Sequence, residues 1–139
     1  MARRAARIAL ALLFVQGLIV GAWAAAWPRS FYDNFPGGGR AWVAADGPYN
    51  EHLVRDVGSL NLALAFVAVL ALITGSTLLA RAAGGAALIY GVPHLLYHAT
   101  HLDPYDTDDQ VALLFSLGLA VLAGILALAA PTADDPATE

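Results

Sequence analysis

The chain has 139 residues, 59% of them hydrophobic and only 13% charged, with a formal net charge of −4 and a mean hydropathy of +0.64. A soluble domain carries about a quarter charged residues, so the apolar excess is expected to face lipid. The seven basic residues, all Arg, form no stripe that could neutralise a phosphate backbone, and the absence of Cys excludes disulfides, thiolate metal sites and thiol redox chemistry.

Taken in chain order, four apolar stretches stand out, over 8–27, 57–80, 82–97 and 111–130. About 20 apolar residues are needed to cross a bilayer core of ~30 Å, and three stretches satisfy this outright. The third is interrupted by His94 and His98, and reads as a span if its last turns lie among headgroups. The expected fold is all-α, a four-helix transmembrane bundle with helices at about 6–27, 50–80, 82–101 and 109–130 and a disordered acidic tail over 131–139.

The first stretch has the order of a secretory signal, with Arg3, Arg4 and Arg7 before the apolar run and Ala22-Trp23-Ala24 after it. Its run is longer than the usual signal core of 7–15 residues, so a retained helix is expected, with cleavage as the alternative. The same arginines, together with Arg81 in a turn placed between the second and third helices, put both termini in the cytoplasm of a multi-pass plasma-membrane protein. Between the first and second helices runs a long aromatic and Gly-rich outer loop. It carries Phe31, Tyr32, Phe35, Trp42 and Tyr49 with the run Gly37-Gly38-Gly39, a composition suited to the membrane interface. Asn50 is the expected N-cap of the second helix. Gly17 with Gly21, and Ala120 with Gly124, are small-residue pairs that allow close helix approach.

Most of the specific chemistry lies in 51–56 and 94–103. His94, His98 and His101 are spaced i, i+4 and i+7, and His52 with Asp56 i and i+4, so each set shares a helix face. A hairpin of the second and third helices would bring both sets to the outer rim, where three imidazoles and a carboxylate make a shell suited to zinc or iron. Asp56, Glu51 or Asp103 is the expected oxygen donor. A metal-free polar network is the other reading, in which His101 answers a helix C-terminal dipole and His52 is simply solvated. Around this centre, Asn61 extends a polar path inward or bridges two helices, Tyr90 and Tyr97 supply hydroxyls or anchor the interface, and Arg55 pairs with a nearby acid. Pro93 cannot donate to the carbonyl of Ile89 and is expected to bend the third helix. No phosphate loop or nucleophile elbow is present, since Gly37-Gly38-Gly39-Arg40 lacks a preceding strand and a following Lys-Ser/Thr pair.

The segments 31–37, 47–58 and 92–98 resemble those of small four-span integral membrane proteins of high-GC bacteria, and the size and layout are similar to DoxX-like membrane proteins. That resemblance implies a fold and no activity. The His94-xxx-His98 pair resembles one of the pairs in membrane desaturases and fatty-acid hydroxylases, which use more histidines than the four present. Three His with one Asp resembles the zinc shell of ceramidase-like membrane hydrolases, which cross the membrane more often. The expected function is an accessory or binding protein whose extracytoplasmic His/carboxylate cluster takes a metal, a lipid headgroup, another membrane subunit or a second copy of the chain. The alternative is a metal-dependent membrane enzyme acting on lipid-like substrates at the outer leaflet.

Overall fold

Each long helix begins and ends where local chemistry dictates, as seen in a computed structural model that describes residues 1–131. Helix α1 (Ala2–Ala26) stops at Trp27, because Pro28 follows and opens the short helix α2 (Pro28–Asn34) at its first position. Two-residue strands β1 (Pro36–Gly37) and β2 (Arg40–Ala41) pair antiparallel, Pro36 opposite Ala41 and Gly37 opposite Arg40. The turn between them needs positive φ at both central residues, and Gly38 and Gly39 supply 67° and 82°. Helix α3 (Trp42–Asp46) follows. Helix α4 (Glu51–Thr74) starts at Asn50, whose side chain accepts from the Leu53 amide at 3.1 Å, as expected of that residue.

The second connection differs from expectation. The apolar stretch over 57–80 is interrupted at Thr74-Gly75-Ser76-Thr77, and α4 ends there rather than near residue 80. Gly75 takes a left-handed conformation (φ 66°) and returns its amide to the Ala71 carbonyl at 3.0 Å. Ser76 then caps α5 (Thr77–Thr100) by accepting from the Leu79 amide at 3.3 Å. Arg81 is therefore inside α5 rather than in a turn, and its Nε donates to the Ala130 carbonyl beyond the end of the last helix at 3.1 Å. Pro93 lies within α5, which remains one helix on either side of it. Helix α6 (Thr107–Leu128) begins at Asp106, which caps the Asp109 amide at 2.8 Å. Of the tail expected over 131–139, only Pro131 lies within the described residues.

Helix α1 packs on α4 and α6, and α5 on α4 and α6. Glycines set the crossings. A Cβ on Gly17 would come within 2.9 Å of the Asn61 carbonyl, and one on Gly84 within 2.6 Å of the Gly124 carbonyl. The predicted Gly17/Gly21 pair thus serves α1 on α4, while Gly124 pairs with Gly84 and Ala120 instead lines a cavity.

Helices α1, α4 and α6 are long and apolar enough to cross a membrane, and large apolar side chains such as Ile73, Leu78, Ile89 and Phe115 point outward. These features fit a membrane protein. Among the described residues, all eight acids lie at one end of the long helices, with Arg29, Arg40 and Arg55. Arg3, Arg4, Arg7 and Arg81 lie at the other.

The core is not uniform along its length. Toward the arginine-only end, small residues of every long helix, including Ala9, Ala68, Ala83 and Ala127, form one buried cluster. Toward the acidic end the core divides. Ala24, Phe31 and Val54 bury together on the α1/α4 side, and Trp42, Tyr105 and Leu113 on the α6 side, with Phe35 packed against both. The segment 28–46 is thus a folded cap wedged over the acidic end.

Candidate functional site

The expected convergence of His52 and Asp56 with the α5 histidines does not form. Helix α4 turns Val54, Gly58, Asn61 and Ala65 inward, which leaves His52 and Asp56 on its outer face. There His52 Nε2 lies 3.2 Å from Asp56 Oδ2, with the imidazole 88% exposed. Glu51 and Arg55 form a second pair on the same turn at 2.9 Å, Tyr49 donates to Glu51 at 3.4 Å, and Arg55 Nη1 also donates to the Ala25 carbonyl, capping α1. Asp103 is exposed in the loop after α5.

His101 leaves the shared face because α5 stops at Thr100. Its φ of −132° is no longer helical, so the i+7 spacing from His94 ceases to apply. Its ring stacks on Tyr97 at 4.3 Å, and Nδ1 lies 2.8 Å from the Tyr97 carbonyl. A carbonyl can only accept, so Nδ1 carries the proton and donates. Among the described residues, no three His, Asp or Glu side chains gather as ligands for one metal ion.

What remains of the predicted centre is a ladder of rings. Tyr90 stacks on His94 at 5.4 Å, His94 meets His98 edge-on at 4.9 Å, and His98 meets Tyr105 at 6.1 Å. His98 is buried, and its Nδ1 has no hydrogen-bond partner among the described residues.

The cap covers the upper end of this ladder, and two long-range pairings, Tyr105 with Trp42 and Arg40 with Asp109, fasten it, supported by local hydrogen bonds. The Tyr105 hydroxyl donates to the Trp42 carbonyl at 3.1 Å, and Gln110 Nε2 donates to the carbonyls of Leu102 and Tyr105 at 3.2 and 2.9 Å. Arg40 pairs with Asp109 at 2.9 Å, and Tyr32 donates to the Gly47 carbonyl at 2.7 Å. Burial, and then the nearby carboxylate of Asp46, push the Tyr105 phenol up to about 12. Asp46 closes α3, so the cap ends in a carboxylate near the Tyr105 phenol, while Asp56 stays on the outer face of α4.

Below the ladder is a cavity of about 50 Å³ between α1, α4, α5 and α6. Its polar lining is Gln16, Asn61, Tyr90 and His94, with no Asp, Glu or Arg. Gln16, Asn61, Tyr90 and the lining Leu117 each lie ten residues from the helix ends at Ala26, Glu51, Thr100 and Thr107. At 1.5 Å per residue, that is a common depth of about 15 Å. Gln16 had no evident role in the sequence, since a single Gln in an apolar helix carries no pattern. A wider depression of about 350 Å³ on the surface is lined by Arg40, Trp42, Tyr105 and the acids at the start of α6.

No protein-family model, no curated protein and no solved structure matches the chain.

Proposed function

We propose that the chain is a four-span integral membrane protein of the plasma membrane, with both termini cytoplasmic, that acts as a binding or accessory protein through the folded cap on its outer side. The observation that carries this reading is the distribution of charge. Arg29, Arg40 and Arg55 at the acidic end are each matched by a carboxylate, Asp33, Asp109 and Glu51, at 2.8–2.9 Å. With three arginines against eight acids, that end has a net charge of −5 among the described residues, while the other end carries four arginines. The bias agrees with cytoplasmic arginines and a translocated acidic end. Helix α5, 24 residues or about 36 Å long, is the fourth span; its Arg81 sits near one end and its histidines sit under the cap. The packing of Gly17 and Gly21 into α4 supports a retained α1.

A plain linker between two spans would not need a hairpin, two short helices and two long-range polar fastenings. The cap itself is neutral, Arg29 and Arg40 balancing Asp33 and Asp46, and the net negative charge of the end it covers suits recognition of a cationic group on another membrane subunit or on a lipid headgroup. A DoxX-like layout is compatible with this reading and assigns no activity.

The lack of native Cys makes the test direct. A membrane-impermeant maleimide applied outside intact cells should label Asp108→Cys and spare Thr74→Cys, with the reverse in inverted vesicles. Labelling of both positions from one side would reject four spans. A photo-crosslinker placed at Asp108 should then give a discrete, salt-sensitive adduct. A cap that yields none in native membranes would reject the binding role.

A further inference from the structure

The cavity between the helices makes a chemical demand that the protein does not meet by itself. Tyr90 and His94, half-buried, and Gln16, exposed on α1 at its edge, line it, and none of the three side chains has a hydrogen bond to another described residue. Asn61 donates Nδ2 to the Val57 carbonyl at 2.8 Å, which leaves its carbonyl oxygen for another donor. One turn above His94, His98 is more than nine-tenths buried and its Nδ1 is unpartnered. In water such groups would be solvated at no cost. At a depth of about 15 Å in a bilayer they meet lipid or protein, and each unsatisfied polar group costs about 1–3 kcal/mol. Polar donors and acceptors converge there with no formal charge among the lining residues, an arrangement for neutral hydrogen-bonding molecules rather than for a bare ion. A space of about 50 Å³ is enough for more than one water molecule, which needs roughly 10–15 Å³.

The surroundings also fix a direction. Toward the cap, His94 of the cavity wall meets His98 ring on ring, and His98 meets Tyr105, so polar side chains continue from the cavity to the outer face. Away from the cap its walls include Ala68 and Ala83, which belong to the alanine cluster shared by all four long helices. Close-packed apolar side chains offer water no partners.

We propose that the cavity is a one-sided hydration site: it holds a small cluster of water, or a neutral hydrogen-bonding solute of the same size, between Gln16, Asn61, Tyr90 and His94. The cluster is continuous with the outer face along His98 and Tyr105, and the alanine layer seals it from the other side. The proposal rests on the four-span reading, which places the cavity within the lipid layer.

The test uses the unmodified full chain in lipid bilayers. Solid-state NMR with magnetisation transferred from water should reach the side chains of Gln16, Tyr90, His94 and His98 about as fast as exposed cap residues, and Ala9 and Ala123, in the alanine layer, several-fold more slowly. Transfer as slow at His94 and Gln16 as at Ala123 would overturn the proposal, and so would equally fast transfer at Ala9 and Ala123, which would mean a pore open at both ends. Transfer from lipid acyl chains in the same sample examines the premise separately. Ile89, on the outward face of α5, should receive it; if it does not, the four-span reading fails, whereas a dry cavity beside a lipid-facing Ile89 overturns the hydration site alone.

Discussion

The hydroxyl of Tyr105 donates to the backbone carbonyl of Trp42 at 3.1 Å, across 63 positions of sequence, and both residues are buried. This bond ties the loop after α5 to the helix that precedes α4, and so holds the cap over the histidine ladder. Removing the hydroxyl in Tyr105→Phe deletes this bond while the Trp42 carbonyl keeps its place in α3, at a cost of about 0.5–1.5 kcal/mol. The expected outcome is a lowered midpoint of thermal unfolding in detergent and faster proteolysis near Gly38 and Gly39. Unchanged values for both would show that the cap is held by apolar packing alone.

Alkaline pH probes the same residue. Its phenol is pushed up to about 12, above the ordinary value of 10, chiefly by burial. The folded state therefore favours the neutral form. Its contribution to stability is fully present below pH 10 and is lost as pH rises from 10 toward 12. Ultraviolet titration should show one tyrosine ionising later than exposed tyrosines, and Tyr105→Phe should remove that late step. A late step that persists in the variant would assign it to another phenol.

Gly75 is the residue that turns α4 into α5. Its φ of 66° is costly for any residue with a Cβ, by roughly 1–2 kcal/mol, and a Cβ there would meet no neighbour within 4 Å. Gly75→Ala should therefore destabilise the chain by about that amount through backbone conformation alone, with packing untouched. Equal chemical-denaturation midpoints for the variant and the parent would refute the left-handed cap.

How much of this was legible in the sequence depends on the range of the signal. Local rules succeeded. Asn50 caps α4, and Gly17 with Gly21 mark where α1 meets α4, because caps and small-residue pairs act within a few residues. The turn lies six residues before Arg81, at Thr74-Gly75-Ser76-Thr77, a short break that an average over the apolar stretch 57–80 hides. There the informative signal was the Gly followed by a Ser cap, not hydropathy. Helical spacing correctly put His52 with Asp56 and His94 with His98, but spacing within one helix says nothing about which face meets a neighbour. That choice is made by Gly58 and Asn61, which turn toward α1. Trp42, Asp46 and Tyr105 stayed out of view for the same reason, being brought to α5 only by tertiary folding.

Metal content is the remaining discriminator between a binding protein and a metal-dependent enzyme. Zinc or iron needs three or four ligand atoms within about 2.0–2.2 Å of one point. The described residues offer only pairs: His52 with Asp56 on the exposed face of α4, and His94 with His98 on α5. His101 is withdrawn onto Tyr97, and its Nδ1 donates to a backbone carbonyl. Two-ligand sites bind weakly, so protein purified without added metal should carry zinc and iron well below one equivalent per chain. Added zinc should shift thermal unfolding equally in the parent, in His98→Ala and in His52→Ala, because stabilisation by a ligand follows its affinity for the folded state. A stoichiometric metal that is lost in His98→Ala and also in His52→Ala would mean that α4 and α5 can bring these faces together in another arrangement, and would restore the metalloenzyme reading.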